Sequence, residues 1–367
     1  MYLNNSWYVA ATSNELAGGN IVARTILGQK IALFRTESGR YAAVRDACIH
    51  RQAPLSLGHV VGETVQCRYH GARFGSDGRC THVPGQDAIS PKAKVQSFPV
   101  LERHGYIWIW MGDQELSEDE STIPKNLSLI DAQPGMRSCS GMFESMRANY
   151  RLLNDNLFDI THAEFVHPES FGGEEVRFYR NARPGSEPID RGLTYEVKER
   201  SIHFRTHADS LGDEGAPLWR IMMAQARNIE SWTGPLDFTM EVSWQAPCYT
   251  SFHIYLRPAG QPDAQPVEFH DFHAATPETA HSSHYFYTVG INYGDEGTLS
   301  HLAEETRNVF KQDIVLLEAQ QATIGDLDVL SVPHASFNGD RLQLEGRKIL
   351  DTLINKERQA KSIAQEI

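Results

Sequence analysis

Two short cysteine–histidine motifs near the start of the chain constrain its folding more than any other feature. Cys48 is followed two residues later by His50, and Cys67, after sixteen residues that separate the motifs, is followed three residues later by His70. Each motif precedes a segment, RQAPLSLG or GARFGSDG, with the composition of a tight loop containing glycine. Because thiolates and imidazoles bind metals, a fold that brings the motifs together would form a metal centre.

Two kinds of metal centre suit these four side chains. A single zinc ion could take all four as ligands. A [2Fe–2S] cluster could instead take Cys48 and Cys67 on one iron, and His50 and His70 on the other. The spacing favours the cluster, because zinc fingers commonly pair Cys with Cys and His with His along the chain, whereas here each motif supplies one of each.

A second group of candidate ligands lies in the segment NYRLLNDNLFDITHAEFVH, residues 149–167. Its apolar residues recur at helical spacing, which predicts a helix that ends at His167, because Pro168 follows. On an ideal helix His162 and His167 would lie about 140° apart. Both imidazoles can therefore reach one ion only if the last turn loosens. Otherwise they are exposed histidines near a helix C-terminus, where positive charge is favourable.

The length of 367 residues predicts two domains. Strand-like runs separated by turn residues occupy 31–35, 41–45, 65–69 and 106–112. The acidic segment DQELSEDESTIPKN, residues 113–126, is the predicted inter-domain linker. From about residue 126 onward, several strand-like runs and a long helix over 301–322 predict an antiparallel sheet covered by helices, an α+β arrangement.

The late helix carries one acidic residue within an apolar stripe. The stripe consists of Val309, Phe310, Leu316 and Leu317. Asp313 lies in its middle, where a carboxylate is costly unless it is paired or binds a metal, whereas Glu318 is predicted to be solvated. Asp313 is therefore either a third metal ligand or a residue at the edge of the stripe with its carboxylate in water.

Composition limits the possible partners and compartment. The formal net charge of −13 makes nucleic acid and anionic membranes unlikely partners. The five cysteines, an odd number in a chain without a recognisable signal peptide, argue against a disulfide framework. No apolar run approaches the roughly 20 residues that span a bilayer. We therefore expect a soluble cytoplasmic protein.

The motifs together resemble those of the Rieske non-haem iron oxygenases. CIHR…LSLG and CRYHGARF…DG resemble the cluster loops of that family, DNLFDITHAEFVH resembles its mononuclear-iron helix, and KQDIVLLE resembles its late carboxylate motif. With WYVA at the start and the spacing of the two sites, the resemblance extends over nearly the whole chain. It looks closest to the branch of vanillate O-demethylase and dicamba monooxygenase.

This resemblance implies two metal sites in two domains. An N-terminal all-β Rieske domain, residues 1–125, would hold one [2Fe–2S] cluster, and a catalytic domain, residues 126–367, would hold one mononuclear Fe(II). The implied cluster ligands are Cys48, His50, Cys67 and His70, and the implied iron ligands are His162, His167 and Asp313. Asp159 would bridge His70 of one subunit to His162 of the next in a homotrimer. His273 would contact the substrate, although a histidine satisfied within a sheet is an equally good interpretation.

The implied activity is that of a terminal oxygenase component. It would use O2 to hydroxylate or O-demethylate a small aromatic or similar apolar substrate. The chain has no GxGxxG nucleotide loop, so electrons would come from a separate NAD(P)H-dependent reductase, with or without a ferredoxin. Two alternatives are a Rieske electron carrier with a non-catalytic binding domain and a zinc-stabilised ligand-binding protein.

Overall fold

The computed structural model describes residues 2–127, 134–172, 194–212 and 215–366. The chain divides into two compact units, of which unit 1 comprises Met1–Ile123 with Thr276–Ser282, and unit 2 comprises Pro124–Ala275 with Ser283–Ile367. The second segment of unit 1 was not anticipated from the sequence. The domain boundary at residue 125 stays a prediction.

Unit 1 is built from antiparallel strands arranged in three sheets. The sheet orders are β1-β11-β10, β2-β3-β4-β9 and β5-β6-β7-β8. The strands are β1 (Ser6–Thr12), β2 (Ile21–Ile26), β3 (Gln29–Arg35), β4 (Tyr41–Arg45), β5 (His59–Val61), β6 (Thr64–Gln66), β7 (Arg73–Gly75), β8 (Cys80–His82), β9 (Ser97–Phe98), β10 (Val100–Arg103) and β11 (Tyr106–Met111). The four predicted strand runs fall on β3, β4, β6 and β11, and β6 ends at Gln66 because Cys67 begins a loop.

The acidic segment 113–126, predicted as a linker, is packed against β1 over much of its length. The backbone N–H of Trp7 donates to Thr122 Oγ1 at 3.0 Å, and its indole N–H donates to the Asp119 carbonyl oxygen at 3.2 Å. Because these bonds satisfy donors of a buried tryptophan, the segment belongs structurally to unit 1 up to Ile123.

Unit 2 contains one seven-stranded antiparallel sheet, in the order β12-β18-β17-β16-β15-β14-β13. Its strands are β12 (Arg137–Met146), β13 (Thr194–Val197), β14 (Ser201–Leu211), β15 (Leu236–Gln245), β16 (Tyr249–Pro258), β17 (Val267–Thr279) and β18 (Ser282–Ile291). Its helices are α1 (Tyr150–Phe158), α2 (Ala163–Val166), α3 (Pro217–Arg227), α4 (Glu296–Ile324) and α5 (Arg341–Glu366). The predicted α+β class is confirmed.

Helix α4 is the long helix predicted over 301–322, extended at both ends. It begins because the Asp295 carboxylate accepts the Thr298 N–H at 2.9 Å, and it ends at Gly325, whose φ is 64°. The predicted stripe is confirmed at Val309, Phe310 and Leu317, which are buried, but is wrong at Leu316, which is 48% exposed. Among the described residues, no helix is long and apolar enough to cross a bilayer.

Helix α1 is anchored to the C-terminal helix α5 by two ion pairs. Arg347 contacts both carboxylate oxygens of Asp155 through Nε at 3.1 Å, and Arg151 contacts Asp351 at 2.8 Å. Burial raises the pKa of Asp155, and that rise is limited by the attraction of Arg347 and Arg151 and by a hydrogen bond with Gln343. The Asp155 carboxylate therefore depends on α5 to remain charged inside unit 2.

We expect Arg347→Met to destabilise the protein by about 3–5 kcal/mol, because it leaves the Asp155 carboxylate buried and unpaired. The measurement is the free energy of unfolding of unit 2 from denaturant titration. The double variant Arg347→Met/Asp155→Leu should recover most of this loss, because it removes both charges. If the double variant is no more stable than Arg347→Met, the ion pair does not explain the effect.

Candidate functional site

The two cysteine–histidine motifs of unit 1 form loops with the same backbone hydrogen bonds. The N–H groups of Cys48 and Cys67 each donate at 2.8 Å to the carbonyl of the residue five positions ahead. The residue four positions ahead donates back to each cysteine carbonyl, from Gln52 at 2.8 Å and from Gly71 at 3.0 Å. Two different sequences therefore adopt one loop geometry, which presents the two pairs of side chains in equivalent ways.

In each loop the chain reverses direction at a residue with a left-handed backbone conformation. The φ angle is 57° at Gln52 and 77° at Gly71. A Cβ atom at Gly71 would also lie 2.8 Å from Cγ of Pro84, closer than side chains normally approach. Glycine is thus required at the second loop by both backbone and space, whereas the first loop tolerates a side chain.

The four motif side chains of unit 1 separate into an inner and an outer pair. Cys48 and Cys67 are buried, both with free thiols, and their side chains lie within hydrogen-bond reach of each other. His50 and His70 are exposed, with ring centroids 4.6 Å apart. Burial raises the pKa of the Cys48 thiol. Two sulfurs inside and two imidazoles at the surface match a diiron cluster with one thiolate-bound and one imidazole-bound iron.

In unit 2, the segment predicted as one helix over 149–167 is interrupted at Asp159. The Asn149 side chain caps α1 by accepting the Arg151 N–H, and α1 ends at Phe158. Asp159 then adopts extended backbone, and its carboxylate accepts the Thr161 N–H at 2.8 Å. A 3₁₀ turn (Ile160–His162) and the short helix α2 follow. The helix is therefore interrupted at Asp159, about two turns before its predicted end at His167, because the Asp159 side chain caps the 3₁₀ turn that follows.

This interruption brings both imidazoles to the carboxylate on α4. Asp313 Oδ1 lies 3.3 Å from His162 Nε2 and 3.1 Å from His167 Nε2. One candidate ligand atom from each of the three residues falls within 4.8 Å of the others. Burial alone would raise the pKa of Asp313, but the hydrogen bonds with the two histidines outweigh it and lower the pKa to about 2. The carboxylate is therefore ionised.

The other ring nitrogens of these two histidines are held by oxygen atoms. His167 Nδ1 donates to Gln312 Oε1 at 2.7 Å, and His162 Nδ1 contacts the carbonyl oxygen of Asp159. A ring that keeps its proton on Nδ1 could give its Nε2 lone pair to a metal ion, which would take the place of the hydrogen bonds between Nε2 and Asp313. Two imidazoles and one ionised carboxylate, with the outer ring nitrogens already anchored, fit a divalent metal ion that keeps open coordination positions.

Neighbouring polar residues take separate places around this triad. Asn156 donates to Asp313 Oδ1 at 3.2 Å, which places it beside the triad. Asp155, one residue before Asn156, pairs instead with Arg347 of α5. Glu318, predicted to be solvated, pairs with Arg147 at 2.7 Å and is only partly exposed.

A cavity of about 120 Å³ borders the triad. Its walls come from α1 to α4 and the strands β14 to β17, and are mostly apolar. The lining residues are Asn156, Leu157, Ile160, His162, Ala163, His167, Phe171, Thr206, Trp219, Phe238, Met240, Phe252, Ile254, Asp271, His273, Val309, Phe310 and Asp313. An apolar cavity beside a metal-binding face is suited to a small aromatic molecule.

His273 lines this cavity, as expected for a substrate contact, but it also has partners of its own. Its Nδ1 lies 2.8 Å from the Tyr285 hydroxyl, and its Nε2 lies 3.3 Å from Asp271 Oδ1. Sequence reasoning missed Asp271, Tyr285 and Gln312. The signal for Asp271 was the alternation of HDFHA, which places Asp271 and His273 on one face of a strand.

A second, more open groove of about 630 Å³ also borders His162 and Asn156. Asp159 lines this groove but not the cavity. Leu316 lines it as well and, like the adjacent Val315, is exposed, as is Phe165 on α2. His162 is therefore reachable from two sides within unit 2, from the apolar cavity and from this groove.

Comparison with known proteins places both units in described families. Residues 6–99 match the Rieske [2Fe–2S] domain, and residues 146–356 match the C-terminal domain of vanillate O-demethylase oxygenase. The iron–sulfur subunit of the toluene-4-sulfonate monooxygenase system of Comamonas testosteroni is 30% identical over 97% of this chain and 98% of its own length. The oxygenase component of dicamba O-demethylase from Stenotrophomonas maltophilia is 34% identical, covering 87% and 88% of the two chains.

Solved structures agree with these relatives. Dicamba monooxygenase bound to 3,6-dichlorosalicylic acid superposes with a TM-score of 0.84 at 30% identity, over 97% of this chain and 99% of that chain. A second structure of that enzyme, with non-haem iron and dicamba, has a TM-score of 0.78 at 28% identity, over 98% and 99%.

We expect Gly71→Ala to lower the free energy of unfolding by about 1–2 kcal/mol, because alanine resists left-handed backbone and its Cβ would meet Pro84. Gln52→Gly at the matching position of the first loop should be tolerated. The measurement is thermal or denaturant unfolding of both variants, with visible absorbance as the report on the loops. Equal destabilisation by both substitutions would contradict the difference between the loops.

Proposed function

The chain belongs to the Rieske non-haem iron oxygenases, among their oxygenase components, and from that membership we propose that it hydroxylates or O-demethylates a small aromatic or similar apolar substrate with O2. The resemblance found in the sequence is confirmed. The prediction of a terminal oxygenase, in preference to an electron carrier, is confirmed as well. The Rieske domain favours a [2Fe–2S] cluster over a single zinc ion.

The observation that carries the proposal is the His162–His167–Asp313 triad facing the cavity. We infer that these three side chains hold one mononuclear Fe(II), and that Cys48, His50, Cys67 and His70 hold the cluster. When bound, the iron would supply O2 activation, with electrons that the cluster delivers. A pure electron carrier has no use for an ionised carboxylate between two imidazoles beside an apolar cavity.

The surrounding residues of unit 2 would keep this iron site rigid. Gln312 and the Asp159 carbonyl fix the orientation of the two imidazoles, and such outer contacts tune metal affinity. Asn156 donates to Asp313 Oδ1, leaving Oδ2 of the carboxylate without that contact. The apolar walls of the cavity would exclude water around the bound substrate.

We further propose that electrons arrive from a second copy of this chain in a homotrimer. The groove bordering His162 and Asp159, flanked by the exposed Leu316, offers a place for the cluster of a neighbouring subunit. The Asp159 carboxylate would bridge His70 of that subunit to His162. A separate NAD(P)H-dependent reductase, with or without a ferredoxin, would reduce the cluster, and the cytoplasmic location stays a prediction.

The names of the relatives and the aromatic side chains that line the cavity both support an aromatic substrate. The names of the relatives specify toluene-4-sulfonate and dicamba, the latter with O-demethylation. Phe252, Phe310 and Trp219 line the cavity here, and aromatic rings pack well against such walls. His273 is the proposed polar contact for the substrate.

Replacing Asp313 with Asn should remove the mononuclear iron and spare the [2Fe–2S] absorbance, because a neutral amide is a weaker ligand than an ionised carboxylate. The measurement is iron per chain, which should fall from about three to about two. Glu318→Gln is the matched control, because Glu318 lies on the same helix and pairs with Arg147 instead. Full iron occupancy in Asp313→Asn would rule out the assignment.

Replacing Asp159 with Asn should leave both metal sites loaded and stop turnover. Asparagine caps helices as well as aspartate does, so the Thr161 contact and the local fold should persist. The measurements are iron content, cluster absorbance and product formed with a surrogate reductase. Normal product formation by this variant would refute the bridging role.

A further inference from the structure

The cavity beside the triad contains a carboxylate that the proposed oxygen chemistry does not use. Asp271 lies on β17 directly opposite Phe252 of β16, and both side chains line the cavity. Asp271 is only 5% exposed, and its Oδ1 atom has no hydrogen-bond partner. Burying such a group without a partner costs stability, so its presence points to a ligand that completes it.

The neighbour of Asp271 in the cavity does not satisfy it. His273 Nε2 lies 3.3 Å from Asp271 Oδ1, within ion-pair range but without the alignment of a hydrogen bond. His273 itself is held at Nδ1 by the Tyr285 hydroxyl. Its ring centroid is 5.0 Å from that of Phe310, which lies one helical turn before Asp313. The Asp271–His273 pair is therefore within the length of a small aromatic molecule from the triad.

The charge around Asp271 favours hydrogen-bond donors over anions. Among the described residues that line the cavity, none is Lys or Arg. A carboxylate or sulfonate of the substrate placed at this end of the cavity would meet a buried acid with no Lys or Arg side chain beside it to offset the repulsion.

We propose that Asp271, supported by His273, is a specificity-determining residue that selects neutral aromatic substrates with a hydrogen-bond donor, such as a phenolic O–H or an amide N–H. The carboxylate accepts the donor and fixes the end of the ring remote from the oxidised group. This inference rests on the proposed function and names the substrate class of the same site.

The test compares three probes of similar shape, in which the polar group lies opposite the methoxy group or is absent: 4-methoxyphenol, 4-methoxybenzoate and methoxybenzene. Dissociation constants are measured by calorimetry on the holoenzyme without O2, so that no turnover intervenes. The wild-type protein should bind the phenol about tenfold to a hundredfold more tightly than either other probe, the range for one hydrogen bond to a charged group. Asp271→Asn should weaken this preference over methoxybenzene to about tenfold or less, because its neutral amide oxygen is a weaker acceptor than a carboxylate, and should improve binding of the benzoate.

The matched control is Asp263→Asn, which removes one negative charge from an exposed position between β16 and β17. It should leave all three dissociation constants unchanged. If the wild type binds the phenol no better than the benzoate, including binding neither, the inference is overturned. A preference for the phenol that is undiminished in Asp271→Asn also overturns it.

A second measurement needs no ligand and separates this inference from the proposed function. The ligand-free thermal midpoint of Asp271→Asn should equal or exceed that of the wild type, because a carboxylate kept for binding does not stabilise the fold. A lower midpoint would identify Asp271 as structural and overturn the inference. Iron content of about two per chain in the wild type would instead refute the proposed function, whatever the probes show.

Discussion

The arrangement of unit 2 depends on one constraint, the placement of an ionised carboxylate inside an apolar interior. Asp313 is 7% exposed and shares a helical face with Phe310 and Leu317. A charge there is tolerated only where partners converge on it, and the partners are two imidazoles and one amide from a segment about 150 residues earlier in the sequence. The fold therefore has to hold α1 and α4 in a fixed relation, and Gln321 of α4 does so by accepting the N–H of Asn149.

Asp159 interrupts the helix, and this interruption allows His162 and His167 to face the same carboxylate. On a continuous helix the two histidines would point in different directions, so a chain that needs both at one carboxylate has to interrupt the helix between α1 and α2. The side chain of Asp159 caps the new turn, its backbone carbonyl holds His162 Nδ1, and one residue thereby sets both the path of the chain and the orientation of a ring. Because the carboxylate also borders the open groove, its position suits a role beyond the cap.

Local features of the sequence were enough to predict most elements and the residues that the structure brings together in the triad and in the two loops, but not their outer partners. The stripe on α4 and the two cysteine–histidine motifs are patterns within short windows, and the structure brings each set together. Gln312 could not be found in this way, because it is adjacent to Asp313 and so points about 100° away from it on the helix. Its role depends on His167 approaching from another element. For the same reason the ion pair between Arg347 and Asp155 could not be predicted, because the two residues lie on different helices.

In unit 2 the residues proposed to hold the metal and those proposed to select the substrate lie on different kinds of secondary structure. The residues that would hold the metal come from the 3₁₀ turn after α1, from the residue that follows α2, and from α4, whereas Asp271 and His273 come from β17 and Phe252 from β16. Alternate residues of a strand can change on the cavity face without moving a ligand on a helix. A buried acid on such a strand would therefore alter which molecules fit while the three residues of the triad keep their positions.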